Sequence, residues 1–232
     1  MISFVALTID TLLPAYTEIK DEFLIVDTQL HWIITALFLG FSLGQMIFGP
    51  VSDRIGRKNS VLLGVGIYWI GCLVCLVSDT YMTFVVGRFI QGFGIGGPRV
   101  VSQAICRDLF NGNKLASINS FIMSIFILVP VVAPLIGQGI LFLFYWKYII
   151  AFFILFSLVT TSFLIMNIEE TLKEPQKINF NNILKHFKEV LRNLNSMIYI
   201  VCLGLLLGGL LTFINICQPL YLHYFNIGSK FP

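Results

Sequence analysis

Three ionisable side chains lie inside long apolar runs of the sequence, where a charge is costly. Asp10 lies in the first run, and Arg88 and Arg99 lie in the run over residues 81–105. Since a charge within a membrane span needs a partner or a water-filled cavity, these residues indicate a functional site. A carboxylate held between burial and a nearby cation can bind and release a proton, so the predicted chemistry is proton exchange.

Four polar residues of the run over 81–105 are placed to share one side of a helix. Arg88 and Arg99 are 11 residues apart, about three turns, so they project in nearly the same direction. Gln103 lies one turn beyond Arg99, and Gln91 lies one turn beyond Arg88. This side predicts a polar cavity shared with Asp10. The same residues also allow a simpler arrangement, in which Arg88 pairs with Asp10 only to fasten two helices.

The elements that position these residues are long apolar segments. Of 232 residues, 57% are hydrophobic and 12% are charged, and the mean hydropathy is +0.87. Soluble domains carry about 25% charged residues, whereas about 20 apolar residues in a helix cross a bilayer core. We therefore predict an all-α membrane protein, because a helix satisfies its own backbone polar groups in lipid. The predicted helices cover residues 1–17, 31–50, 60–78, 81–105, 116–140, 146–167 and 196–222.

The cations of the loops predict how these helices are oriented. Ten lie after the second, fourth and sixth helices, and three lie in the other loops. By the positive-inside rule, the N-terminus is expected in the cytoplasm and the chain in the inner (plasma) membrane. The ten are Arg54, Arg57, Lys58, Arg107, Lys114, Lys173, Lys177, Lys185, Lys188 and Arg192, and the three are Lys20, Lys147 and Lys230.

Two segments differ from the other spans. Only about 16 residues precede the acidic stretch at 18–22, and Asp10 is among them. Either the start of this helix is missing or neighbouring helices shelter it. Over 176–195, apolar residues recur at helical spacing between cations, which predicts an amphipathic helix on the cytoplasmic membrane surface. A disordered basic loop is the alternative for that segment.

The sequence gives no sign of an enzyme, a metal site or a cofactor site. Cys72 and Cys75 have the spacing of a metal or redox motif, but no second Cys or His pair accompanies them, so we interpret them as packing residues. His31, His186 and His223 lie in separate loops or span ends. Nucleic acid is not an expected partner, because no basic stripe with interleaved aromatic residues occurs.

The loop after the second predicted helix carries a dense motif. It reads Gly49-Pro50-Val51-Ser52-Asp53-Arg54-Ile55-Gly56-Arg57-Lys58. Its glycines permit a tight turn and close helix approach, and an aspartate among cations can lock to a neighbouring helix end. The loop resembles the major facilitator superfamily signature G-x-x-x-D-R-x-G-R-[KR], which it matches at Gly49, Asp53, Arg54, Gly56, Arg57 and Lys58.

Other motifs narrow this resemblance to the Bcr/CflA drug-resistance subfamily. Arg88, Gln91 and Gly92 are similar to the helix-4 motif R-x-x-q-G, and 133–139 is similar to the helix-5 antiporter motif G-P-x-x-G-G. The second match departs from the motif, with Ala133 in place of the first glycine and Gln138 interrupting the final pair. Subfamily motifs are also matched by residues 9–15, 107–109, 146–149 and 170–172.

The resemblance implies a secondary transporter that exports small drug-like molecules in exchange for protons. Its partners would be the lipid bilayer, protons and the transported solute. It implies that Asp10 and Arg88 couple the proton, that the 49–58 motif forms a cytoplasmic gate, and that Pro134, Gly137 and Gly139 form the antiporter hinge. Arg99 belongs to no motif of the family, and a cation there would favour anionic or zwitterionic substrates.

The family pattern has two six-helix halves, and this chain is expected to supply one half and a little more. We predict an N-terminal bundle over 1–167, a linker over 168–195 and a seventh helix with the start of a loop over 196–232. Asn215 and Gln218 would line the cavity, or would simply be solvated. The chain would then be a truncated exporter, a non-transporting remnant, or a half-transporter that needs a second chain.

Overall fold

The computed structural model describes residues 4–172, 185 and 188–223, without the side chains of residues 27, 207, 210, 211 and 214–223. The chain divides into two compact units, Met1–Lys177 and Ile178–Pro232. Much of the predicted amphipathic segment over 176–195 lies outside the described residues, and its described residues 185 and 188–192 are helical. The predicted cavity side chains of Asn215 and Gln218 also lie outside them.

The described residues of the first unit form helices joined by short turns, which confirms the all-helical fold. They comprise α1 (Phe4–Asp10), a 3-10 turn (Leu13–Ala15), α2 (Tyr16–Phe23), α3 (Asp27–Ile55), α4 (Arg57–Leu76), α5 (Tyr81–Leu109), α6 (Gly112–Leu143) and α7 (Lys147–Asn167). The second unit contains α8 (Leu194–His223).

Four of these helices are long and apolar enough to cross a membrane. They are α3 from Thr28, α4, α6 and α7. Helix α5 has 29 residues, as many as α3, but it is less apolar because it carries Arg88, Arg99 and five glycines. The two arginines that indicate a functional site therefore also lower the hydropathy of α5, the helix that carries them.

The first predicted helix, over 1–17, is interrupted instead of continuous. The Leu12 N–H donates to the Ile9 carbonyl, three residues back, and Pro14 lies in the 3-10 turn that follows. Proline has no N–H to continue an α-helix. The helical path therefore resumes only after the turn, as α2, and that helix ends at Phe23. Every residue of α1 is buried. Neighbouring helices thus shelter Asp10.

Helix α5 lies at the centre of the bundle, with α3 and α4 packed along it. Small residues allow this close approach. A methyl group at Gly64 of α4 would come within 2.8 Å of the Gly94 carbonyl of α5. A methyl group at Gly92 of α5 would collide with the Leu37 carbonyl of α3. These contacts fix the position of α5 and of the polar side chains that it carries.

The main hydrophobic core surrounds the interruption of the first helix. Trp146, at the start of α7, is fully buried and packs edge-on against Phe84 of α5, with ring centroids 5.3 Å apart. By contrast, α6 leaves large side chains such as Ile127 and Phe142 exposed. In a membrane protein, an apolar surface of this kind suits contact with lipid.

Candidate functional site

Arg88 lies at the centre of a buried hydrogen-bonded group that joins α1, α4 and α5. Its Nη1 donates to Oε1 of Gln91 at 2.9 Å, and its Nη2 donates to the Thr8 carbonyl at 3.3 Å. Gln91 Nε2 donates to Sγ of Cys72 at 3.0 Å. The hydroxyls of Thr8 and Tyr68 lie 3.0 Å apart. We call these five residues the Arg88 cluster.

The interruption of the first helix supplies one of the acceptors in this cluster. In a continuous α-helix, the Thr8 carbonyl would accept from the Leu12 N–H, four residues on. Here Leu12 donates to Ile9 instead. The Thr8 carbonyl is therefore free to accept a hydrogen bond from Arg88. The 3-10 turn at Pro14 thus has a direct effect on the buried arginine.

Asp10 lies at the end of α1 with only 6% of its surface exposed. Among the described residues, no ion pair joins Asp10 to Arg88, whose two terminal nitrogens are bonded to neutral oxygens. The simple fastening pair that the sequence allowed is therefore not observed. The two residues predicted to couple a proton lie on neighbouring elements.

Three buried polar atoms of this region have no hydrogen-bond partner within the described part of the chain. They are Nε of Arg88, the hydroxyl of Tyr16 and Oγ1 of Thr11. An unpaired buried polar group costs about 1–3 kcal/mol, and such groups commonly bind internal water. The region therefore has the chemistry of a small hydrated site.

The other two predicted cavity residues of α5 are separate from the Arg88 cluster. The Arg99 guanidinium lies 5.5 Å from the ring centroid of Phe126 of α6, and its buried Nη1 has no hydrogen-bond partner in the residues that the structure describes. Gln103 lines a different cavity of about 260 Å³, with Asn119 of α6 on the other side. The predicted polar side of α5 is thus not one shared cavity: Arg88 and Gln91 lie in the Arg88 cluster, whereas Arg99 and Gln103 have other surroundings.

The motif over 49–58 forms a second polar group, centred on Arg57. Its residues 49–55 end α3 and its residues 57–58 begin α4, so the predicted loop is reduced to Gly56. Arg57 Nη1 donates to Oδ1 of Asp53 at 2.6 Å and to the Ser52 hydroxyl at 2.7 Å. Its Nε donates to Oδ2 of Asp108, at the end of α5, at 3.0 Å. The motif aspartate is thus tied to the start of the next helix, as the sequence suggested, but through an arginine that binds two carboxylates.

The segment after α7 completes this second group. Glu170 Oε1 accepts from the Arg57 N–H at 2.9 Å, and its Oε2 accepts from the Lys58 N–H at 3.1 Å. Burial opposes ionisation of Glu170, but hydrogen bonds from nearby backbone N–H groups outweigh it and lower the pKa of this carboxyl. We call Ser52, Asp53, Arg57, Asp108 and Glu170 the Arg57 cluster.

Motif residues of this loop differ in their surroundings. Gly56 has φ +95°, in a region that favours glycine, and it is the single residue between α3 and α4. Lys58 Nζ donates to the Ile165 carbonyl of α7 at 2.9 Å. Arg54 is exposed and has no hydrogen bond or ion pair within the described part of the chain, and a methyl group at Gly49 would meet open space.

The predicted hinge lies in α6, which runs without interruption through Pro130 and Pro134. A methyl group at Gly137 would collide with the Thr11 carbonyl, so α6 packs directly on the interruption of the first helix. A methyl group at Gly139 would meet nothing within 4 Å. The structure therefore brings only one of the two motif glycines to the Arg88 region.

The opposite end of the bundle carries a third polar contact. Glu22, at the end of α2, accepts hydrogen bonds from the Tyr145 hydroxyl and from Nε1 of Trp146. Lys147 Nζ lies 3.5 Å from the Glu22 carboxylate and 3.5 Å from the Ser78 carbonyl. These contacts tie α2 to the start of α7 and to the loop between α4 and α5.

Sequence reasoning missed several residues that the structure brings to these sites. Thr8, Tyr16 and Tyr68 have no motif of their own, and Pro14, which interrupts the helix, was the one local signal. Glu170 was noted only as part of a subfamily resemblance. For the described residues, no group of His, Cys, Asp or Glu could hold a metal ion.

Apolar helices that enclose a charged centre define an all-α membrane protein of the transporter type. Residues 1–230 match the family model of the Major Facilitator Superfamily, and the chain belongs to that family. A crystal structure of the human organic anion transporter MFSD10 (TETRAN) shares the fold, with a TM-score of 0.58 and 19% identity. The match covers 78% of this chain and 50% of that one.

Bacterial relatives carry drug-resistance names. The bicyclomycin resistance protein homolog of Haemophilus influenzae is 30% identical over 221 residues, which are 94% of this chain and 56% of that protein. The multidrug resistance protein MdtL of Klebsiella pneumoniae is 32% identical over 139 residues, which are 60% of this chain and 36% of that protein. The chain thus spans about half the length, or less, of the curated relatives that it matches.

Proposed function

We propose that this chain forms half of a proton-driven exporter of small drug-like molecules in the inner (plasma) membrane. The observation that carries the proposal is the buried Arg88, whose guanidinium bonds only to neutral groups within the described part of the chain. The nearly buried Asp10 lies on a neighbouring helix. The drug-resistance names of the relatives support the substrate class.

In this proposal, Asp10 binds the transported proton and Arg88 makes its release favourable. A protonated Asp10 suits its buried position, because burial disfavours the charged carboxylate. The unpartnered atoms of Tyr16 and Thr11 offer hydrogen bonds to the water or solute that enters as the proton leaves.

The Arg57 cluster acts in this proposal as the cytoplasmic gate. It joins the adjoining ends of α3 and α4 to the end of α5 through Asp53 and Asp108. Alternating access requires these helix ends to move, so the ion pairs must loosen in one state and re-form in the other. Gly137 would be the hinge residue, because it packs on the Thr11 carbonyl.

Arg99 and Gln103 would extend the solute pathway towards the cytoplasmic end. The buried Nη1 of Arg99, which has no hydrogen-bond partner among the described residues, would donate a hydrogen bond to an anionic group of the solute. This supports anionic or zwitterionic substrates within the drug-like class.

The pathway would be completed by a second six-helix half, because substrate sites of this architecture lie between two repeats. A half-transporter that pairs with a second chain is the second candidate. Crosslinking in membranes followed by mass measurement tests self-pairing. A species of about twice 26.2 kDa is expected if two copies pair.

The decisive experiment is substrate-driven proton flux in proteoliposomes, read with a pH-sensitive dye inside the vesicles. A lipophilic cation and an aromatic carboxylate serve as test solutes. We expect flux with wild type and none with Asp10→Asn. Asp79→Asn is the matched control, because Asp79 is exposed in the loop before α5. A wild-type chain that pairs in the crosslinking test but shows no flux, or an equal loss of flux in both variants, contradicts the proposal.

A further inference from the structure

The transport proposal argues the gate from Asp53 and Asp108 and assigns no task to the residues just after α7. Glu170 and Thr171 lie beyond the end of α7 at Asn167, yet Glu170 accepts from the Arg57 N–H and Thr171 donates to Asp108. We infer that Glu170 and Thr171 are positioning residues of the gate, which hold the first turn of α4 and thereby fix the Arg57 side chain. This pair is called the exit clamp below.

The first turn of α4 needs such a clamp because its own sequence supplies none. The first N–H groups of an α-helix have no partner within the helix, and a side chain at the N-cap position commonly satisfies one of them. The N-cap of α4 is Gly56, which has no side chain. The acceptor comes instead from Glu170, which is 113 residues away from Arg57 in the sequence.

Glu170 uses both carboxylate oxygens for this task. Oε1 accepts from the Arg57 N–H and Oε2 accepts from the Lys58 N–H, at 2.9 and 3.1 Å. The Leu172 N–H also donates to Oε1, at 3.0 Å, which orients the carboxylate. A negative charge at a helix N-terminus is favoured by the helix dipole as well as by the hydrogen bonds.

Gly56 fits the clamp for a second reason besides its backbone angle. A methyl group there would lie 3.0 Å from Cδ of Glu170 and closer still to its Oε2. A larger residue would therefore push the carboxylate away from the amides that it binds. The clamp and the glycine of the loop motif are structurally interdependent.

Thr171 anchors the same segment to the side-chain part of the cluster. Its Oγ1 donates to Oδ2 of Asp108 at 3.2 Å, the oxygen that also accepts from Arg57 Nε. Arg57 is thus held through its backbone by Glu170 and through its guanidinium by Asp108. Lys58 Nζ also donates to the Ile165 carbonyl in the last turns of α7. The start of α4 therefore donates backbone hydrogen bonds to the segment after α7 and a side-chain hydrogen bond to α7 itself.

A consequence for transport rests on the gate role proposed above. Any movement of the end of α7 relative to α4 must break the clamp or carry the first turn of α4 with it. Arg57 would then change its position relative to Asp108, which belongs to α5. The clamp would make the gate respond to displacement of the segment after α7.

Hydrogen–deuterium exchange of the full chain in lipid nanodiscs tests the clamp without any transport assay. In Glu170→Ala, the amides of Arg57 and Lys58 should exchange about fivefold faster or more, because both acceptors are lost. Glu169→Ala is the matched control, since Glu169 is exposed and no hydrogen bond or ion pair is found for it within the described part of the chain. Unchanged exchange over residues 90–100 of α5 verifies the fold.

The clamp is overturned if the Arg57 and Lys58 amides of Glu170→Ala exchange at the wild-type rate. It is also overturned if their exchange rises equally in Glu169→Ala. Should Glu170→Ala not fold, Thr171→Val decides the matter, with about a twofold rise expected at the same amides and no rise as the contrary result. If these amides respond while wild type pairs in the crosslinking test but shows no substrate-driven flux, the clamp stands and the transport proposal fails.

Discussion

Two buried arginines in one bundle are treated in opposite ways. Arg57 binds the carboxylates of Asp53 and Asp108, so its charge is neutralised where it lies. Arg88 is fully buried, and among the described residues its guanidinium bonds only to an amide oxygen and a carbonyl oxygen. A neutralised ion pair suits a lock, whereas a charge without a counter-charge remains available to a proton carrier or a solute. The surroundings of each arginine therefore predict its role better than its residue type.

The largest expected effect is at the packing that shapes the Arg88 region. Gly137→Leu would force α6 away from the Thr11 carbonyl, and we expect it to lower the free energy of unfolding by about 3 kcal/mol. SDS titration in mixed micelles measures this change. Gly139→Leu, two residues on in open space, should change it by less than about 0.5 kcal/mol. Equal effects would mean that α6 does not pack on the interruption as described.

Loss of the ion pairs that Arg57 makes with Asp53 and Asp108 should have the next largest effect on stability. Arg57→Gln leaves two carboxylates near each other without their cation, and we expect a loss of about 2 kcal/mol after allowing for the partial exposure of Asp53. The same SDS titration applies. The motif neighbour Arg54 is exposed, so Arg54→Gln should have an effect below about 0.5 kcal/mol. A larger effect of Arg54→Gln would refute the assignment of the lock to Arg57.

Two tyrosines with buried hydroxyls sharpen the contrast between satisfied and unsatisfied groups. The Tyr68 hydroxyl pairs with Thr8, so Tyr68→Phe should cost about 1 kcal/mol of unfolding free energy. The Tyr16 hydroxyl has no partner among the described residues, so Tyr16→Phe removes no protein hydrogen bond and should not lower the unfolding free energy. Tyr16→Phe should nevertheless reduce substrate-driven proton flux. Normal flux in Tyr16→Phe would exclude this hydroxyl from the working site.

The smallest effect concerns pH and Glu170. Its pKa in the folded chain is lowered from the ordinary value of 4.5, so its contribution to stability is present above pH 4.5. That contribution is lost as the pH falls below 4.5 through the lowered pKa. Wild type and Glu170→Gln should therefore differ in melting temperature at pH 7 and converge as the pH falls through the lowered pKa. A difference that persists in acid would mean that the charge of Glu170 is not what binds the α4 amides.

The helices and the loop motif could be predicted because their signals are local. Apolar runs mark α3, α4, α6 and α7, and the spacing of Arg88 and Gln91 anticipates the hydrogen bond that joins them across one turn. The resemblance to the superfamily also depended on short motifs, and the family match confirms it.

The partners of these residues could not be predicted, because packing decides them. Spacing along the chain does not show that the Thr8 carbonyl is released by a 3-10 turn, or that it accepts from Arg88 80 residues later. Nor does it show that Glu170 reaches the start of α4. The pairing of Asp10 with Arg88, which the charges alone allowed, is absent from the described residues because Gln91 and Thr8 already bind the arginine.

The distance in sequence between α4 and its cap has a practical consequence for expressing the six-helix bundle by itself. A fragment that stops at Asn167 would include every residue of α7 but would leave the first amides of α4 bare. A fragment that continues to Leu172 would bring the capping carboxylate with it. The five residues 168–172, which lie outside the transmembrane helices, would decide whether the first turn of α4 is capped or frayed in such a fragment.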